Sequence, residues 1–349
     1  MLLALSIAYV LYGELTVVQG LLFGLKAAVL AIVAEALLRV SKRALKGRAS
    51  MAIAVAAFLA IAFFSVPFPV IVAAAALIGL LMSRSQPTST SAAPPEQDGG
   101  EASRAAAFAS HRPWTVFLRA VLIWGAIWLV PVALLAAALG LGHVFTREAL
   151  FFSQAAIVTF GGAYAVLAYV AQQAVEVYQW LRPDEMLTGL GLAETTPGPL
   201  ILVLVFVGFL AGFRGDSGLE PLAGGIVGAL ITLWVTFAPS FLFIFAGAPF
   251  VEKLRGNRSV AGALAAVTAA VVGVIANLAL WFGLHVLFAE VGEASFGPLT
   301  LPVPDPSTFH PAAAIIALAA GLARLRFHLG VVPVLAAAAF AGAAITLAA

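Results

Sequence analysis

The chain has 349 residues, 63% of them hydrophobic, with 18 Lys plus Arg and 16 Asp plus Glu, where a soluble protein of this length would carry roughly 87 charged residues. A soluble globular enzyme is excluded, and the net charge of +2 reads as basic loops between apolar segments, not as a nucleic-acid surface. With no Cys there is no disulfide, iron–sulfur cluster or thiolate metal site, and His111, His143, His285, His310 and His328 are too scattered for a His-based metal site, so neither a metal nor any other cofactor is expected.

The apolar residues fall in windows of about 17 to 27, enough to cross a hydrocarbon core of about 30 Å. Stretches such as 121–140 are apolar all round, which fits helices and not the alternating strands of a β-barrel. The fold class is therefore an all-α polytopic membrane protein of about 10 to 11 segments. In chain order eleven segments are expected, at about 1–12, 17–39, 51–64, 66–82, 114–140, 149–178, 184–213, 221–247, 260–288, 311–323 and 331–349. The chain opens on MLLALSIAYVLY with no basic residue before Lys26, so no signal peptide is expected. Segments flanking Pro67 and Pro69, and those flanking 324–330, are short and fit tilted or re-entrant hairpins. Residues 83–113, rich in Ser, Pro, Ala and Gly, read as a disordered cytoplasmic linker.

An internal repeat relates VQGLLFGLKAAVLAIVAEALL, from Val18, to VAGALAAVTAAVVGVIANLAL, from Val260, at an offset of 242. The loop after the first copy carries Arg39, Lys42, Arg43, Lys46 and Arg48, whereas the loop after the second carries Glu290, Glu293 and Asp305. The loop before the second copy holds Lys253, Arg255 and Arg258, and the loop before the first only Glu14. By the positive-inside rule the copies are inverted, which is a transporter signature. The expected organisation is a partial N-terminal repeat over 1–82, the linker, an unpaired connecting helix at 114–140 and a complete C-terminal repeat over 149–349.

Two breaks interrupt the second repeat. In WLRPDEMLTGLGLAETTPGPLILVLVFVGFLAGF, 184–193 reads as a short helix and a second helix starts near Pro197, with Thr195 or Thr196 as its N-cap. Gly198 lets a ligand approach the backbone, and the N–H groups of Gly198, Leu200 and Ile201 at the positive end of the helix would form an anion pocket. A kink or interfacial turn is the plain alternative. The other break is TFGG at Thr159, Phe160, Gly161 and Gly162, where paired glycines allow close packing or open the backbone beside a substrate. Ser153, Gln154, Thr159 and Tyr164 around it could donate to oxyanion oxygens.

Charges within apolar windows are the remaining candidates. Lys26 lies about 13 Å along its helix, where it either serves a substrate or snorkels outward. Glu35, with Arg39 at i+4, fits an interfacial ion pair. Glu194 abuts the anion pocket, where a carboxylate would repel a dianion unless protonated, which makes it a candidate coupling group; capping or pairing with a nearby Arg is the plain alternative.

Together TFGGAYAVLAYVAQQAVE, YQWLRPDEMLTGLGLAETTPGPL and LRGNRSVAGALAAVTAAVVGVIANLALWF resemble the chromate ion transporter family, whose units carry an FGG and a TPGP motif. The resemblance implies an oxyanion permease of the bacterial inner membrane that expels chromate and confers resistance, with some relatives handling sulfate. The candidate substrate contacts are Thr159, Gly161, Gly162, Thr195, Thr196, Gly198 and Lys26, with Glu194 as the candidate coupling residue. The expected partners are chromate or sulfate and membrane lipid, without nucleic acid, and a homodimer is compatible with them. The chain departs from the family's long members because the counterpart of 149–242 would lie before Met1, leaving the first unit without FGG and TPGP. It is read as one whole unit preceded by the back part of another. No Walker motif is present, so a secondary antiporter is expected over a pump. The competing readings are a sulfate permease and an inactive remnant. An enzyme is not expected, since no nucleophile, base and orienting group can be assembled.

Overall fold

The computed structural model describes residues 1–85, 113–158, 163–251, 256–297 and 299–348. The helices are α1 (Leu2–Tyr12), α2 (Thr16–Ala44), α3 (Arg48–Phe64), α4 (Phe68–Ser85), α5 (Pro113–Leu139), α6 (Val144–Val158), α7 (Ala163–Gln172), α8 (Pro183–Thr195), α9 (Val203–Arg214), α10 (Pro221–Gly247), α11 (Arg258–Leu287), α12 (Pro311–Leu325) and α13 (Val331–Ala348). Among the described residues five are long and apolar enough to cross a membrane: Thr16–Ala44, Trp114–Leu139, Pro221–Phe250, Arg258–Leu287 and Val331–Ala348. The expected helical class holds, with one addition. Strands β1 (Val291–Phe296) and β2 (Leu299–Pro304) form an antiparallel hairpin between α11 and α12. It rests on the end of α3, where Ser65 Oγ and Thr300 Oγ1 are 3.2 Å apart.

The two repeat copies, α2 and α11, pack together at the centre and run antiparallel. Leu30 packs on Gly283, while Phe23, earlier in α2, faces His310, whose N–H bonds Leu287 O at the end of α11. Each copy packs on the hairpin that follows the other: α2 on α12 and α13, α11 on α3 and α4. Small residues make both contacts possible, since they let helix backbones close up without a hydrophobic driving force. A Cβ on Gly20 would lie 2.7 Å from Ala343 Cα, and one on Gly262, its counterpart in the repeat, 2.8 Å from Gly79 O. Gly342 of α13 and Gly79 of α4 thus do the same work for opposite copies. This arrangement gathers Arg39 to Arg48, Arg258, Arg324 and Arg326 at one end of the bundle and Glu290, Glu293 and Asp305 at the other. Lys253 and Arg255 lie outside the described residues. At the acidic end Asp305 accepts from the Ser307 hydroxyl and N–H at 2.8 and 2.9 Å, which holds its carboxyl below the usual carboxylate range.

Two expected segments are not spans. The 184–213 segment folds back on itself: α8 and α9 are antiparallel, with Arg214 at the end of α9 bonded to Glu185 at the start of α8, and Gly189 packed on Phe206. The 149–178 segment likewise splits into α6 and α7, with Tyr169 returning to Phe151 at a ring distance of 5.6 Å. Arms of 10 to 15 residues extend about 15 to 22 Å, short of a 30 Å core. Hydropathy cannot separate a span from a buried hairpin, because both are apolar on every side. The described edges of the expected linker are also helical: Ser83, Arg84 and Ser85 close α4 and Pro113 opens α5. The rest of the linker, 86–112, lies outside the described residues.

Candidate functional site

The two hairpins meet where α7 begins and α8 ends. Residues 159–162 join α6 to α7, and Thr196, Pro197, Gly198 and Pro199 lead from α8 into a 3₁₀ turn, Leu200–Leu202, before α9. Tyr164, in the first turn of α7, donates to Glu194, in the last turn of α8, at 2.8 Å. Thr159, Gly161 and Gly162 themselves lie outside the described residues.

The break at Pro197 differs from the expected cap. Thr195 donates to Leu192 O and Thr196 to Ala193 O, each at 2.8 Å. Their hydroxyls close the preceding helix and do not cap the following one, because a Thr in a last helical turn finds the orphan carbonyls of its own helix first. The returning chain starts three residues later than expected, and its first bond is Leu202 N–H to Pro199 O at 3.0 Å. The N–H groups of Leu200 and Ile201 stand ahead of that bond. Gly198 has φ +153° and is exposed, with Leu202 the nearest side chain to where a Cβ would stand. Only glycine takes that backbone conformation readily.

Around the turns stand charges from other elements. Glu35 of α2 accepts from Arg39 at 2.6 Å, and also from Arg324 of α12 at 2.6 Å. Arg324 further bonds Leu329 O. Glu35 is thus more than the simple i,i+4 pair expected. Arg324, Glu35 and Arg39 all lie close enough to act electrostatically on Glu194. Arg324 was not singled out in the sequence because it sits at the end of an apolar window, where a basic residue ordinarily marks an interface.

Lys26 lies elsewhere. Its Nζ is 3.6 Å from Asp184, at the start of α8, about 15 Å along that helix from Glu194. Lys26 and the Thr195–Gly198 turn therefore do not contact one ion together. Lys26, Arg182, Asp184, His285 and His310 instead line a separate cavity of about 350 Å³. Beneath it Glu185 is fully buried and saturated: Arg214 donates at 2.7 and 2.5 Å, Arg182 N–H at 2.9 Å and Tyr9 at 3.0 Å. That network fixes the open ends of the α8–α9 hairpin against α1. Of the other donors weighed in the sequence, Ser153 accepts from Trp128 Nε1 of α5 at 2.9 Å, so it tethers the connecting helix, and Gln154 is exposed.

Along α8, one end thus has the N–H groups of Leu200 and Ile201 near Arg39, Arg324, Glu35 and Glu194, and the other has the cavity lined by Lys26, Arg182 and Asp184. Among the described residues no cluster of His, Asp and Glu could hold a metal ion.

Comparison with known proteins returns a family described as Chromate transporter, matched over residues 1–80 and 146–343. Among individual relatives, a chromate transport protein of Pseudomonas aeruginosa is 32% identical over 153 residues, 43% of this chain and 33% of the relative. A chromate transport protein of Cupriavidus metallidurans is 26% identical over 132 residues, covering 38% and 30%. An uncharacterized transporter of Methanocaldococcus jannaschii is 25% identical over 130 residues, covering 37% and 29%. The matched stretches span about a third of the length of these relatives. No solved structure matches the chain.

Proposed function

The chain belongs to the chromate transporter family, and from that premise we propose that it carries chromate out of the cytoplasm as a secondary antiporter of the bacterial plasma membrane. The observation that carries this reading is the meeting of two helical hairpins at Tyr164 and Glu194. Backbone that leaves its helix inside a membrane protein is tolerated where it lines a cavity or is buried in protein. Here the N–H groups of Leu200 and Ile201 and the guanidinium groups of Arg39 and Arg324 stand near the end of α8, which suits a tetrahedral dianion.

Glu194 serves as a gate to that region. Ionised, it repels a dianion; protonated, it admits one, so anion affinity depends on pH. Lys26, with Arg182, His285 and His310, forms a second station at the other end of α8, which the anion meets on the outward side. The antiparallel α2 and α11, with basic residues at one end and acidic at the other, support opposite membrane orientations for the two repeats.

Sulfate is the second reading. With both Thr hydroxyls committed to α8 carbonyls, recognition at the turn falls to backbone N–H groups and charge, which distinguish tetrahedral dianions poorly. The test is accumulation of chromate by cells expressing the protein, with and without excess sulfate. Reduced chromate content, reversed by sulfate, is expected. Chromate content equal to that of cells lacking a correctly inserted protein would overturn the efflux reading.

A further inference from the structure

Glu148, in the second turn of α6, is fully buried, and neither carboxylate oxygen has a hydrogen-bond partner. Among the described residues no other carboxylate is left with both oxygens in that condition. It faces a seam of small residues where α6, α9 and α10 meet. A Cβ on Gly228 of α10 would lie 2.9 and 3.1 Å from its two oxygens, and Gly208 of α9 presses its carbonyl onto the same glycine. Thr232, one turn further along α10, is fully buried against Gly208, and its hydroxyl is also unbonded. Thr146 and Thr236 carry buried, unbonded hydroxyls too.

Among the described residues no charge compensates Glu148. Helix α10 has no ionisable side chain, and the one on α9, Arg214, is held by Glu185. From α7 come Tyr164, bonded to Glu194, and Tyr169, packed on Phe151 and Phe68. Arg119 of α5, Arg147 of α6 itself, and Asp216 and Glu220 after α9 are exposed. An isolated carboxylate in such surroundings costs far more as an anion than as a neutral acid. A metal ion would need about six oxygens around it, whereas this seam closes on glycines with no room for a Cβ. A proton needs no such room.

We propose that Glu148 is a second proton-exchanging residue of the transporter, remote from the anion and acting through the arms of the two hairpins. It takes up one proton as a carboxylate and releases it from the neutral acid; no bond of the anion is made or broken. Loss of the proton leaves a bare charge between α6 and α9, so the arms must part toward water or a new partner. Proton exchange at Glu148 thereby shifts the geometry at Tyr164 and Glu194.

This inference rests on the anion-transport reading, and the test separates the two. The purified full-length chain is reconstituted in vesicles, and chromate accumulation is measured with and without a one-unit pH gradient. Wild type should change accumulation about tenfold per exchanged proton. Glu148→Gln, relative to its own accumulation without a gradient, should lose one tenfold step of that response, while Glu148→Asp should keep it. A Glu148→Gln response equal to wild type overturns the proposal. A second arm needs no transport: the Tm of wild type in detergent should fall as pH rises through ionisation of Glu148, and that slope should be shallower in Glu148→Gln, or in Glu148→Met where Gln fails to insert. Identical slopes overturn the proposal. Failure of wild type to move chromate or sulfate would instead sink the anion reading, and the Tm arm would still decide whether Glu148 titrates.

Discussion

Tyr164 reaches from one helical hairpin to Glu194 on the other and donates a hydrogen bond of 2.8 Å. Each residue lies within one turn of a helix end, so this bond ties the start of α7 to the end of α8. Removing the donor while keeping the ring isolates its contribution. Tyr164→Phe should destabilise by about 1.5 to 3 kcal/mol if Glu194 accepts as a carboxylate, and by about 1 kcal/mol if it accepts as a neutral acid. Denaturation of the detergent-solubilised variant at two pH values checks this. An unchanged Tm at both would remove the bond from the account of the site.

Glu194→Gln removes the repulsion and keeps the shape. Anion binding at high pH should tighten toward the value at low pH, and its pH dependence should flatten. Equilibrium chromate binding between pH 5 and 9 is the measurement, and a wild-type pH profile in the variant would show that Glu194 does not gate the region.

At the Pro197 break, Gly198→Leu should abolish transport, because φ +153° is a conformation that a Leu rarely adopts. Thr195→Val and Thr196→Val should lower stability by about 0.5 to 1.5 kcal/mol each through loss of the bond to α8 carbonyls, with little effect on affinity. Normal transport by well-inserted Gly198→Leu would move the anion region away from this turn. A large affinity loss in either Thr variant would place that hydroxyl on the substrate.

Lys26 lines a cavity apart from the hairpin turns. Lys26→Met should therefore raise the half-saturating anion concentration and leave the maximal rate near wild type. A variant with no transport at saturating chromate would make Lys26 part of the main site.

Orientation is tested by single Cys residues in a chain that has none. Labels in the loop Arg39 to Arg48 and in the hairpin Glu290 to Asp305 should react from opposite sides with an impermeant thiol reagent. Reaction from one side would refute the inversion.

Much of this was legible in the sequence because the relevant physics is local. Helix α11 begins at Arg258 and ends at Leu287, close to the 260–288 read from hydropathy, and the break at Pro197 was marked by two prolines around a glycine. What sequence could not supply was direction. Whether the chain beyond Gly198 continues or turns back depends on Arg214 finding Glu185, a contact between residues 29 positions apart. The same holds for Lys26, which shares a helix with Glu35 but answers to the opposite end of α8, and for Glu148, whose isolation is defined by glycines on two other helices.

The exchange of hairpins between α2 and α11 has a consequence for how the protein is made. Helix α2 leaves the ribosome well before its main neighbours, α12 and α13, which follow it by roughly 300 residues. At about 5 to 20 residues per second, roughly 15 to 60 s separate the synthesis of α2 from that of α13. During that interval Glu35 lacks Arg324, and Gly20 and Gly24 present an uncovered groove to lipid or to other nascent helices. Biogenesis should therefore depend on a membrane chaperone that holds α2 until synthesis is nearly complete.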